Sequence, residues 1–204
     1  MHRIGWIGLI ATQLFTSVAW AHGPLPAPSR YVTQNYGLTF KVPVGASYCP
    51  LPPGWVGSDH GTAILLERPR ACDGAGYASI DRGFSLPSLP RIDIYYAYWL
   101  GDDEPKPPAC DANVWTKLFG QRHAICLGQI DGIITEETRA LYTFDGPVQV
   151  IVTLTTTSAR RERDQTALRA LTASMRSCKT RLTNAAGKHF VFGTGQACPV
   201  GGWF

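Results

Sequence analysis

The loop that precedes residue 61 contains the residue types of a nucleophilic hydrolase, because Ser58, Asp59 and His60 follow one another. A serine nucleophile needs its histidine base within hydrogen-bond reach, and neighbours in sequence rarely achieve that geometry. The three residues therefore favour a turn in which a side chain bonds the local backbone. Side chains can also converge in such a loop, so Trp55, Asp59 and His60 are candidate binding residues.

Carboxylates are the second group that could do chemistry. Asp102, Asp103 and Glu104 are consecutive, but they lack the ligand spacing of a calcium loop, which favours a solvated acidic turn. Glu136 and Glu137 are adjacent in a predicted strand, so their side chains point to opposite faces and cannot act as a pair. The sequence therefore predicts no catalytic residues and favours a protein without catalytic activity.

Six cysteines are the third chemical signal: Cys49, Cys72, Cys110, Cys126, Cys178 and Cys198. An even count in an exported chain predicts three disulfides, out of the fifteen pairings that six cysteines allow. Pairing each cysteine with its neighbour in sequence closes the loop-rich segments between strands, so we expect Cys49–Cys72, Cys110–Cys126 and Cys178–Cys198.

The strand predicted at 92–100 carries the best binding signal. One face of this strand has the residues Ile92, Ile94, Tyr96, Tyr98 and Leu100. If that face packs under a helix, Tyr95 and Trp99 stand on the opposite surface, where aromatic side chains stack on sugars or fill a partner's pocket. The alternative is that aromatic residues of the C-terminal tail cover them, namely Phe190, Phe192, Trp203 or Phe204.

The elements that must position these residues are a sheet and one helix. Segments 123–130, 133–138, 140–144 and 148–157 alternate or run apolar at strand length. Asp131-Gly132 and Asp145-Gly146 separate them, and an Asp-Gly pair is a strong hairpin signal. A further strand is predicted from Leu38 to Val42. The sequence therefore predicts an antiparallel meander.

A helix is predicted at 160–178, because Leu168, Leu171, Met175 and Cys178 fall on one helical face. A sheet with one apolar face and a helix with one apolar stripe bury each other's apolar surface. The predicted fold is therefore α+β, an antiparallel sheet packed against a C-terminal amphipathic helix with disulfide-stapled loops.

The N-terminus predicts export. Arg3, an apolar run at 4–18 and a small-x-small site ending at Ala21 are typical of a signal peptide. Cleavage would leave a lead-in at 22–35, which three prolines keep extended, a single domain at 36–178 and a Gly- and aromatic-rich extension at 179–204. We expect no transmembrane segment after cleavage and a periplasmic or secreted location.

Net charge argues against one class of partner. The formal charge of +4 falls to about +3 when Arg3 is removed. That excess is too small to predict nucleic-acid binding, which requires a clustered basic face.

Two resemblances add expectations about fold and chemistry. Gly37, the alternating Leu38, Phe40 and Val42, and then Pro43 resemble the opening of the PsbP-like fold, and the pattern continues through 36–178. This resemblance implies a small accessory or binding protein.

The segment His22-Gly23, followed by Pro28-Ser29-Arg30, resembles the mature start of bacterial lytic polysaccharide monooxygenases. In that family the terminal amine and first histidine hold copper together with a second histidine. The resemblance implies a copper site at His22 with His60 or His123 as partner.

Our leading hypothesis is an exported, non-catalytic binding protein that needs no cofactor. It would act as an envelope accessory subunit or as an inhibitor of an exported enzyme or toxin. Its partner would be another exported protein or an envelope component. The alternative is a copper-dependent enzyme that acts on polysaccharide.

Overall fold

The computed structural model describes residues 25–26, 29–33, 35–50, 61–67, 90–98, 110–183 and 186–199. The predicted signal peptide lies outside these ranges, and for Cys49 only the backbone is described. The other candidate residues outside them are His22, Trp55, Asp59, His60, Cys72 and Trp99.

A main sheet of antiparallel strands dominates the described chain. Its strands are β1 (Leu25–Pro26), β4 (Ser47–Pro50), β5 (Gly61–Leu65), β6 (Arg91–Tyr98), β7 (Asp111–Leu118), β8 (Gln121–Ile130), β9 (Ile133–Thr143) and β10 (Pro147–Thr157). Their order across the sheet is β1-β4-β5-β6-β10-β9-β8-β7. The smaller elements are β2 (Arg30–Thr33), β3 (Leu38–Lys41), β11 (Arg176–Ser177), β12 (Thr180–Thr183), β13 (His189–Phe192) and one helix, α1 (Arg161–Ala173).

The meander is present, with two corrections. Asp131 and Gly132 have φ of 50° and 76° and form the predicted turn between β8 and β9. The break predicted after residue 138 is wrong, because alternate side chains from Ile134 to Ala140 are buried without interruption and β9 continues to Thr143. Asp145-Gly146 does connect β9 to β10, but neither residue has a positive φ.

The helix is shorter than predicted. It ends at Ala173, where the Ser174 hydroxyl donates a 2.6 Å hydrogen bond to the Leu171 carbonyl. Met175 and Cys178 are nevertheless buried, since the chain turns into β11, which pairs with β3 against the same core. Buried apolar residues therefore continue at helical spacing past the end of the helix. This spacing is the reason that the sequence predicted a longer helix.

Gly37 fixes the approach of this segment to β3. Its φ is 55°, and a Cβ there would lie 2.5 Å from the Cys178 carbonyl oxygen. The Cys178 amide donates to the Gly37 carbonyl at 2.7 Å. Glycine is therefore required both by the backbone conformation and by the space available.

One side of the main sheet is covered by α1 and by the three-stranded sheet β11-β3-β2. The Tyr31 hydroxyl on β2 is 2.9 Å from the Tyr96 hydroxyl on β6, and Leu168 and Leu171 of α1 are buried in the same core. We call this side the covered face, and it carries Ile94, Tyr96, Val150, Val152 and Leu154. We call the opposite side the open face, and it carries Tyr95, Ile151, Arg139, Leu141 and Trp115.

The described part of the C-terminal extension is folded onto the domain. Strands β12 and β13 form a hairpin, and the ring of Phe192 lies 5.8 Å from that of Phe144. The disulfide between Cys178 and Cys198 closes this segment. Phe190 stacks on Phe192 within this hairpin. These two rings do not bury Tyr95, which remains 41% exposed.

Candidate functional site

The open face brings side chains from separate strands into one row. The register pairs Tyr95 of β6 with Ile151 of β10, and Ile151 with Arg139 of β9. Side chains of directly opposed residues lie on the same face. Tyr95 is therefore opposite to the buried Ile94 and Tyr96, as the alternation predicted.

Two exposed apolar residues of this face were not predicted. Leu141 is 46% exposed and Trp115 is 37% exposed. Leu141 shares the face because it lies two residues beyond Arg139 on β9, and unbroken alternation through β9 would have identified it. Trp115 pairs with Ala124 and lies on β7, a strand that was not predicted from the sequence.

The row spans the middle and one edge of the sheet. Strands β6 and β7 are four strand spacings apart in the sheet order, or roughly 19 Å. Tyr95 and Trp115 therefore stand near the two ends of a continuous surface, with Ile151 and Leu141 between them. Such a surface is wide enough to contact a folded partner.

Ion pairs neutralise the centre of the open face. Arg139 donates to Glu137 at 2.6 Å, and Arg91 donates to Asp93 at 2.8 Å. Burial raises the pKa of Asp93 to about 6, which the neighbouring Arg91 only partly offsets. The carboxylates therefore balance the arginines beside them.

The β7–β8 edge of the same face is cationic. The Arg122 guanidinium lies 4.3 Å from the centre of the Trp115 ring, within cation–π range. Lys117 pairs with Arg122 across the two strands. Among the ion pairs of the described residues, none includes Lys117 or Arg122. A positive rim thus borders the exposed apolar side chains.

A disulfide fixes the start of β7. Cys110 and Cys126 are bonded, and the register between β7 and β8 shifts between Asp111 and Trp115. The bond holds the irregular end of β7 against β8 and so positions Trp115. Two of the three predicted pairings, Cys110–Cys126 and Cys178–Cys198, are confirmed, whereas Cys49–Cys72 involves residues outside the described side chains.

Two buried carboxylates, Glu136 on β9 and Asp164 on α1, hold the helix to the sheet. Glu136 is fully buried and accepts hydrogen bonds from Arg161 at 2.8 Å and from Gln165 at 3.0 Å. Asp164 accepts a 2.6 Å bond from Thr156. These contacts fasten α1 to the covered face, and Glu136 and Glu137 point to opposite faces as predicted.

His123 is the one member of the predicted copper site that the structure describes. It pairs with Thr116, whose hydroxyl is 2.7 Å from that of Thr172 on α1, so it lies on the helix side of the sheet. Burial lowers the pKa of His123, and a hydrogen bond with the Arg139 backbone opposes that shift. Copper binding at His22 with His60 or His123 stays a prediction.

In the described ranges, no three His, Cys, Asp or Glu side chains group closely enough to hold a metal ion. The helix that the structure describes is too short and too polar to cross a bilayer. No family model, curated protein or solved structure matches the chain.

Proposed function

We propose that this protein is an exported, non-catalytic binding protein whose open face docks onto another exported protein. The observation that carries the proposal is that Tyr95, Leu141 and Trp115, all more than a third exposed, share one face of a continuous sheet. Tyrosine and tryptophan are among the residues that dominate the binding energy of protein interfaces, and the exposed leucine adds apolar area between them.

The scaffold behind this face supports a binding role. Strands β6, β10 and β9 are paired along most of their lengths, and their alternate side chains are buried against α1 and the three-stranded sheet. The exposed side chains are therefore held on fixed backbone, which lowers the entropic cost of binding.

Charge indicates the chemistry of the partner. The central arginines are already paired with carboxylates, whereas Lys117 and Arg122 add positive charge at the β7–β8 edge. A complementary partner would present apolar side chains bordered by acidic ones. An envelope accessory subunit and an inhibitor of an exported enzyme or toxin both need such a surface.

The disulfides support the exported location. Cys110–Cys126 and Cys178–Cys198 are both formed in the folded domain. Disulfides persist in the periplasm and outside the cell and are rare in the cytosol. Together with the predicted signal peptide, they favour a partner in the same compartment.

Site-specific photocrosslinking in the native cell tests the proposal. The photoreactive residue p-benzoylphenylalanine would replace Leu141 on the open face or, as a matched control, Val191 on β13, which is 62% exposed. We expect one discrete protein adduct from position 141 that is absent from position 191, and that a Tyr95→Ala substitution weakens. Equal adducts from both positions, or none from position 141, would overturn the proposal.

A further inference from the structure

A groove runs along the outer edge of β7. Its volume is about 270 Å³, and its lining residues are Asn113, Trp115, Thr116, Lys117, Arg169 and Ala173. Trp115 and Lys117 point to the open face, whereas Thr116 points to α1, which supplies Arg169 and Ala173. A cavity that touches both sides of β7 must follow the strand's edge.

The backbone of β7 has hydrogen-bonding groups at this edge. In the described part of the main sheet β7 is a terminal strand with β8 as its neighbour. Phe119 and Gly120 have φ of 50° and 80°, so they form a two-residue turn closed by Leu118 and Gln121. That closing pair is hydrogen-bonded, and antiparallel pairs alternate between bonded and non-bonded. The peptide groups of Trp115 and Lys117 therefore face the groove.

Among the side chains that the structure describes at the groove, the charged ones are all positive. Lys117 and Arg169 line it, and Arg122 stacks on the Trp115 ring beside it. Among the described ion pairs, none involves these three cations. A ligand with negative charge would therefore be attracted to this edge.

We propose that an acidic, extended peptide segment of the partner adds to β7 as a further antiparallel strand. Its backbone would bond the peptide groups of Trp115 and Lys117, and carboxylates at alternate positions of the segment would face Lys117 on the open face. A second copy of this chain fits less well, since pairing β7 with itself brings equal positive charges together, and a lysine on an edge strand opposes such self-pairing. This inference rests on the proposed function, because Trp115 belongs to both surfaces.

Three short synthetic peptides test the inference with the full mature protein. The first alternates glutamate with valine or threonine, the second has lysine in place of glutamate, and the third is the first with every backbone amide N-methylated, so that neither edge of the strand can donate a hydrogen bond. We expect the first to bind about tenfold more tightly than the second in calorimetry at low salt. We also expect N-methylation to abolish binding and the amide shifts to map to β7.

A charge-reversal pair on the protein sharpens the result. Lys117→Glu should weaken binding of the acidic peptide about tenfold and improve binding of the lysine peptide. Arg163→Glu, an equal charge change at an exposed position of α1 away from the groove, should leave both affinities within about twofold. Because Lys117 is exposed, the variant should unfold at the wild-type temperature.

The two proposals fail in different ways. Equal binding of the acidic and lysine peptides, or an N-methylated peptide that binds normally, would overturn strand addition at β7. If the crosslink from position 141 persists, the open face remains the docking surface. Peptide binding at β7 without that crosslink would instead support the groove and overturn the open-face function.

Discussion

The two faces of the main sheet differ in what the same strand contributes to each. On β10, Val148, Val150 and Val152 are fully buried on the covered face. The alternate residues Gln149 and Ile151 are only partly buried on the other side. One strand thus supplies core packing with half of its side chains and a binding surface with the other half. Stability and recognition should therefore be separable by substitutions one residue apart.

The largest expected contrast is between two leucines. Leu168→Ala on α1 removes a fully buried side chain and should lower the free energy of unfolding by about 2–5 kcal/mol. Leu141→Ala on the open face should change it by no more than about 0.5 kcal/mol. Urea denaturation of both variants measures the difference. Similar losses would mean that Leu141 is packed in the folded protein and that the open face is not available to a partner.

Adjacent glutamates provide the second contrast. Glu136→Ala leaves Arg161 and Gln165 without their acceptor inside the covered face and should cost about 2–3 kcal/mol, reduced from a fully buried pair because Arg161 is 39% exposed. Glu137→Ala breaks a partly exposed pair with Arg139 and should cost about 0–1 kcal/mol. Thermal unfolding of the two variants measures which substitution destabilises the protein more. A larger loss for Glu137→Ala than for Glu136→Ala would mean that the open face, and not the covered face, stabilises the fold.

Asp93 on β6 lies where the open face is partly shielded from solvent. Its pKa is raised to about 6, so the folded state holds the proton more tightly than the unfolded state. The protonated carboxyl therefore stabilises the folded state. This contribution to the free energy of unfolding is fully present below the ordinary pKa of 3.8 and is lost as pH rises to about 6. With 31% of the side chain exposed, we expect a loss of about 1–2 kcal/mol.

The Asp93→Asn variant isolates this effect, since the amide keeps an oxygen that can accept from Arg91. Unfolding free energies from pH 4 to pH 7 should show the variant gaining stability relative to wild type as pH rises. Parallel curves would mean that solvent reaches Asp93 freely and that the open face extends further across β6.

The smallest predicted effect concerns His123 on the helix side. Its lowered pKa means that folding favours the neutral ring, so its contribution is present above the ordinary pKa of 6.5 and is lost as pH falls. An NMR titration of the His123 ring should give a midpoint below 6.5. The free energy of unfolding of His123→Gln should fall less steeply than that of wild type as pH decreases below 6.5. A midpoint above 6.5 would mean that a nearby carboxylate or a hydrogen bond to the charged ring outweighs burial.

Local signals in the sequence predicted much of the fold. Asp131-Gly132 identified a hairpin because its two positive φ angles are a property of those residues. The alternation in β6 placed Tyr95 opposite Ile94 and Tyr96. The cysteine pairings at Cys110–Cys126 and Cys178–Cys198 followed from short separations between strands.

The open face could not be predicted in full, because it depends on strand pairings that no local sequence pattern indicates. Trp115 and Leu141 join Tyr95 because β10 inserts between β6 and β9, a contact between segments far apart in sequence. The helix end was missed for a related reason: β11 continues the burial of Met175 and Cys178 through its pairing with β3. Met175 and Cys178 are thus buried at helical spacing because of tertiary packing, and not because the helix continues to them.

If the open face binds the partner while the covered face stabilises the fold, one calorimetric comparison of variants should separate the two roles. The protein that crosslinks from position 141 would be titrated with wild type, Leu141→Asp and Leu168→Ala at a temperature where all three are folded. We predict that Leu141→Asp loses at least about tenfold in affinity with unchanged stability, and that Leu168→Ala keeps its affinity while losing stability. Normal affinity for Leu141→Asp, or a loss of affinity confined to Leu168→Ala, would show that the open face does not bind this partner.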